Sequence, residues 1–151
     1  MLTETLIKLF TRDLNALIAE IDSYTTEKTL WLTPEGISNS AGNLALHLVG
    51  NLNHFIGAAL GDSGYVRQRD LEFSLKDVPK AELIQQLEAS KTVVISVLKT
   101  LTEADLQNEY PHPVFKEPMT TEFFLMHLST HLTYHLGQIN YHRRLLDTSV
   151  D

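Results

Sequence analysis

Apolar side chains recur at intervals of three and four in four long stretches of this chain, and no stretch alternates as a strand would. The first spans about Leu2 to Lys28, with Leu6, Leu9, Phe10, Leu14, Leu17, Ile18 and Ile21 on one broad stripe. The segment LTPEGISNS interrupts it: Pro34 and Gly36 are turn residues, and Ser38, Asn39 or Ser40 can cap the next helix. That second helix is predicted from about Ala41 to Leu60, where GDSG supplies a glycine stop. The third begins near Asp77–Pro79, with Asp77 as candidate cap, and ends near Leu101. PHPVFKEP places three prolines in eight residues and can only be a connector. The fourth helix opens at Thr120 or Thr121, carries Glu122 favourably in its first turn, and continues to about Leu146.

Helices of this length run roughly 30 to 40 Å at 1.5 Å per residue, and four of them sharing one core make an all-α four-helix bundle. The connection between helices two and three, GDSGYVRQRDLEFSLK, is long enough to cross an end of the bundle. The 151 residues show no internal repeat or low-complexity tract, so residues 1–151 are expected to form a single domain. Their 43% hydrophobic and 21% charged content is that of a globular protein. A net charge of -7 argues against a general role on nucleic-acid backbones or anionic lipid. No apolar run is long enough to span a membrane, and Glu4, Lys8, Arg12 and Asp13 interrupt any signal-peptide pattern, so a cytoplasmic location is expected. The absence of cysteine removes disulfides, thiolate ligands and a thiol nucleophile.

The chemistry concentrates in HLSTHLTYHLGQINYH, residues 127 to 142. On a helix His127, His131 and His135 fall within about 80° of one another, in a sector shared with Phe124, Leu128, Gln138, Ile139, His142, Leu145 and Leu146. This stripe is expected to face inward, where an imidazole must be hydrogen-bonded or ligate something, since an unpaired buried polar group costs about 1–3 kcal/mol. Imidazoles four residues apart are separated by about 6 Å along the axis and can bend toward one ion; positions eight apart, at about 12 Å, cannot easily share it. The pair is therefore 127/131 or 131/135. Helix two, in NLALHLVGNLNHFIG, adds His47 on a face with Leu44, Asn51, His54 and Ala58, and only one of His47 and His54 can reach a common ion. Three imidazoles leave a fourth position for water or substrate, the pattern of a catalytic site. The competing reading is a set of hydrogen-bonded core histidines.

Several familiar sites are excluded. Leu132 and Leu136 follow His131 and His135 where a zincin needs glutamate, and Glu-x-x-His pairs of di-iron bundles are missing, helix two having no carboxylate beside His47. Neither G-x-S-x-G nor a phosphate-cradling glycine loop occurs. The strings HLTYHLGQI and LALHLVGN, however, resemble the DinB-like superfamily of four-helix metalloproteins over essentially the whole chain, closest to an uncharacterised bacterial branch. Because Gly137 and Gln138 follow His135, the resemblance selects 131/135 and implies His47, His131 and His135 as ligands. It leaves His127 one turn away, His54 as an additional helix-two histidine, and Gln138 beside the ligands. It further implies a divalent metal, commonly nickel or zinc, and frequent homodimers. Some relatives are transferases or isomerases that use a small thiol cosubstrate.

The expected function is a metal-dependent enzyme, a hydrolase or small-thiol S-transferase acting on a small-molecule substrate. The alternatives are a metal-binding or stress-related protein without turnover, and a helical interaction module. Tyr134, Asn51 and Gln138 flank the site sector and are candidates to orient a ligand, ordinary packing being the alternative for Tyr134. Arg67, Arg69, Asp70 and Glu72 read first as a charge cluster or inter-helix salt-bridge set. A sharper reading sends Arg67 or Arg69 into the bundle mouth to grip a substrate carboxylate bidentately. Away from the histidines, Ser129, Thr133 and Gly137 would admit another helix, within the bundle or across a homodimer, with Asn140 and Arg144 as a polar rim.

Overall fold

In a computed structural model, which describes residues 1–148, the chain is helical throughout apart from its connections. The elements are α1 (Leu2–Asp22), a 3-10 turn (Glu27–Trp31), α2 (Ala41–Leu52), α3 (Arg69–Ser74), α4 (Lys80–Thr100), α5 (Glu103–Gln107) and α6 (Thr121–Leu146). Helix α2 continues through a π-helical segment, Asn53–Ala58, into a last α-turn, Ala59–Gly61. The four long helices form a ring in which α1 packs on α4 and α6, and α2 packs on the same two. This is the predicted bundle. Leu6, Phe10, Leu14, Leu17 and Ile21 from α1 meet Leu48, Leu52, Leu87, Val94, Phe124, Leu128 and Leu132 in one core, all essentially inaccessible to water. At about 1.5–3 kcal/mol for each large apolar side chain buried, this core is the main stabilising term.

Local signals set most helix ends. Ser40 Oγ accepts from the Asn43 amide at 3.1 Å, and Thr120 Oγ1 accepts from Phe123 at 3.2 Å, so both helices that carry site histidines start at a hydroxyl cap. Two ends depart from expectation. Helix α1 stops at Asp22 rather than near Lys28, because the Thr25 and Thr26 amides donate to the Asp147 carboxylate at 2.6 and 3.3 Å instead of to helix carbonyls. Asp77 does not cap α4. It takes a left-handed φ of 57°, and Pro79 stands at the cap position instead.

Helices α2 and α6 run antiparallel, Phe55 meeting Phe124 at a ring separation of 5.2 Å at one end while Leu44 and His142 line one cleft at the other. The histidines of both helices thus come to mid-bundle level. The inward stripe of α6 is narrower than expected, since Gln138 and Leu145 are exposed. His142 is buried and structural: its Nδ1 accepts from the Tyr24 hydroxyl at 2.7 Å and its Nε2 donates to the Leu32 carbonyl at 2.9 Å. The helix admitted by the small-residue line of α6 is α1, where Thr133 Oγ1 donates to Asp13 at 2.7 Å and Asn140 Nδ2 donates to Glu20 at 2.6 Å. Among the described residues no helix is long and apolar enough to cross a membrane.

Candidate metal centre

His47 comes from the middle of α2, and His131 and His135 from successive turns of α6. The Nε2 atom of His131 lies 3.3 Å from Nε2 of His47 and 3.1 Å from Nε2 of His135. One ligand atom from each of the three rings falls within 4.8 Å of the other two. Tetrahedral coordination with bonds of about 2.0–2.1 Å separates neighbouring ligand nitrogens by roughly 3.3 Å, so the spacing fits a single cation.

The other ring nitrogens explain the aim of two of the three Nε2 atoms, those of His47 and His135. Glu72 Oε1 is 3.0 Å from His47 Nδ1. Burial works to raise the Glu72 carboxyl, but hydrogen bonds from His47 and Arg67, with the guanidinium charge, outweigh it and hold it below the usual range. The carboxylate is therefore ionised, Nδ1–H donates to it, and Nε2 keeps its lone pair. Gln138 acts in the same way on His135, its Oε1 accepting from Nδ1 at 2.7 Å while its Nε2 donates to the Tyr134 hydroxyl at 3.2 Å. Burial, reinforced by His135, His47, His127 and Arg67, pushes His131 down to about 4, and burial likewise lowers His135. Both stay neutral at ordinary pH, the form that binds metal.

His131 adds a further sign of fit. Without an ion, the contacts at 3.1 and 3.3 Å require a proton on its Nε2, which leaves Nδ1 a bare buried acceptor. Among the described residues, His131 Nδ1 and Asn51 Oδ1 are the buried side-chain polar atoms that find no partner. A cation held by the three Nε2 atoms would relieve the crowding of their lone pairs, with His131 then carrying its proton on Nδ1, which has no acceptor in place.

Glu72 was not visible in the sequence as a partner of His47. It reaches α2 because α3 is tied down on it: Asn43 Nδ2 donates to the carbonyls of Glu72 and Leu75 at 3.0 and 2.9 Å. Gly50 completes the fit. A Cβ there would stand 2.5 Å from the Glu72 carboxyl carbon, so only glycine lets the carboxylate lie against the helix. The available signal was general, a ligating imidazole calling for an acceptor on its second nitrogen, but the α2–α4 connection holds four acids and no spacing rule chooses among them.

The remaining expected site residues are dispersed. Asn51 is buried on α2, one turn beyond His47. His54 packs edge-on against Phe55 and stacks on His112 at 6.1 Å, outside the trio. His127 stacks on Phe124 at 5.7 Å, one turn from His131. Tyr134 is exposed, its ring 5.3 Å from that of His135. The Arg67 Nε and Nη2 atoms both donate to Glu72, at 2.8 Å each, and Arg69 lies over the Phe73 ring. Of the Arg67–Glu72 charge cluster, Arg67 and Glu72 form an ion pair within the connection, and a buried carboxylate so near His47 needs such a partner.

None of the curated proteins searched matches the chain. Among solved structures, it is similar to the crystal structure of a DinB-like protein from Bacillus cereus ATCC 10987. The TM-score is 0.72 at 20% identity, over 98% of this chain and 95% of that one, a likeness of fold. The family model of the DinB superfamily matches residues 9–139. The sequence strings, the bundle and this match agree, and the chain belongs to the DinB superfamily.

Proposed function

We propose that the chain is a metal-dependent enzyme in which His47, His131 and His135 hold one divalent cation, nickel or zinc, and a substrate-side position stays open. The observation that carries this reading is the meeting of three Nε2 atoms from two helices, with Nδ1 of His47 and of His135 each engaged by an acceptor. Such an ion acts as a Lewis acid and lowers the pKa of a bound water or thiol toward neutrality, which suits hydrolysis or small-thiol transfer to an electrophile.

The protein's part is to keep three imidazole donors aimed at one point. Glu72 and Gln138 each hold a ring in its ligating tautomer, and Arg67 balances the Glu72 charge so that the proton stays on His47. Phe73, with its ring 5.0 Å from that of His47, covers this side of the site with an apolar wall. A non-histidine donor set is not needed, and the half-buried His131 and His135 leave an approach from outside.

The test is elemental analysis of protein purified without a polyhistidine tag. One ion per chain is expected, lost in His131→Ala and retained in His54→Ala and His127→Ala. Ester hydrolysis and thiol transfer are then assayed on the same proteins, with and without chelator. Metal-free protein, or turnover unchanged in His131→Ala, overturns the reading.

A further inference from the structure

Beside the trio, one helical turn toward the C-terminal end of α6, lies a cleft of about 490 Å³ between that helix and the 36–39 loop. His135 and Gln138 form its inner wall, Leu44 its floor, and Tyr134, Tyr141 and Leu145 its rim. Two properties set it apart. Three large side chains are left in water around one opening, at 64%, 63% and 66% exposure for Tyr134, Tyr141 and Leu145. Single exposed apolar residues are ordinary, but several bordering one concavity next to convergent polar groups mark a binding surface. Second, the lining includes no lysine, arginine, aspartate or glutamate; its polar groups are hydroxyls, amides and imidazoles. Arg144 lies over the Tyr141 ring at 5.4 Å and is not in the lining.

The side chains of the lining offer an anionic ligand no counter-charge for the hydration it would lose, in a chain whose net charge is -7, so an anion drawn here would be held by the ion and not by the cleft. A flat apolar group would instead stack on the tyrosines and shield Leu44 and Leu145. The volume lies in the lower part of the range for small-molecule sites, enough for one ring and a short polar substituent. We propose that this cleft seats the substrate: an uncharged aromatic molecule bearing a hydrogen-bonding group, its ring between Tyr134, Tyr141 and Leu145 and its polar end toward Gln138 and His135. The proposal rests on the metal-centre reading for the direction of that polar end, while the cleft's preference for an uncharged ring stands on the lining alone.

The experiment titrates benzamide, acetamide and succinamate, whose tail ends in a carboxylate, into full-length ¹⁵N-labelled protein as purified, with metal content measured on the same samples. Benzamide is expected to shift the amides of residues 36–39 and 134–145 and to bind at least about tenfold more tightly than either other amide. That factor corresponds to roughly 60 Å² of apolar surface removed from water. The double variant Tyr141→Ala, Leu145→Ser removes only exposed side chains and should bring benzamide to within about twofold of acetamide. Succinamate binding as tightly as benzamide, or benzamide shifts confined to another part of the chain, overturns the proposal. Metal with no preference for the ring counts against the cleft alone; benzamide in the cleft of metal-free protein counts against the ion alone.

Discussion

The Glu72 carboxylate lies 3.0 Å from Nδ1 of His47, with the whole of its contact made possible by the bare backbone of Gly50. Glu72→Gln weakens the acceptor that holds His47 in its ligating tautomer, and an expected metal affinity roughly 10–100-fold lower follows from the usual cost of losing such a partner. Gly50→Ala should move affinity in the same direction, because the added methyl displaces the carboxylate without altering any ligand. Competition against a chelator of known affinity measures both. Unchanged affinity in the two variants would remove Glu72 from any part in the site.

On the other ligand helix, Gln138 Oε1 accepts from His135 while Tyr134 only receives a hydrogen bond from the same amide. Gln138→Ala is expected to lower metal affinity on the order of tenfold. Tyr134→Phe should leave it unchanged. The same chelator competition distinguishes them, and equal losses in both would mean that the Tyr134 hydroxyl, not the amide oxygen, orients the ring.

Stability should respond to acid through Glu20, which accepts from Asn140 and Arg143 of α6 at 2.6 Å each and so ties α1 to that helix. Burial acts to raise this carboxyl, but the Arg143 and Asn140 hydrogen bonds and the guanidinium charge outweigh it and lower it from 4.5. A carboxyl lowered in the folded state stabilises the fold above its unfolded value, and that contribution is lost as pH falls through the folded value. Glu20→Gln should therefore cost about 1–2 kcal/mol at pH 6–8, with the difference from the parent shrinking below about pH 4.5. Urea unfolding across that range checks it; a difference independent of pH would assign the effect to packing.

Asp147 holds the Thr25 and Thr26 amides and the Thr29 hydroxyl, closing the turn after α1. Asp147→Ala should destabilise the protein by about 1–2 kcal/mol, as loss of a helix-cap acceptor does, while metal stoichiometry stays the same. Thermal unfolding and elemental analysis together read the two halves of that statement.

How much of this was legible beforehand follows from the range of each interaction. Periodicity and caps are local, so the four long helices, the Ser40 and Thr120 starts and the long α2–α4 connection could be read from neighbours in the chain. Position along a helix is local too, which is why His131 and His135 could be set on one face and His47 on another. The resemblance then chose these over His54 and His127. Across elements the reasoning failed. It had no means of picking Glu72 from four acids, of seeing that Arg67 pairs with that carboxylate, or of ending α1 short of Thr25, whose amide finds its partner 122 positions later.

By itself, then, the order of residues determined the all-α class, the four long helices and the face on which each histidine stands, because those depend on spacing within a single helix. The tertiary structure alone decided which imidazoles meet, which acceptor secures each of them, and where a cleft opens beside them. These depend on distances between helices, and such distances arise from how side chains of very different sequence position pack into one core.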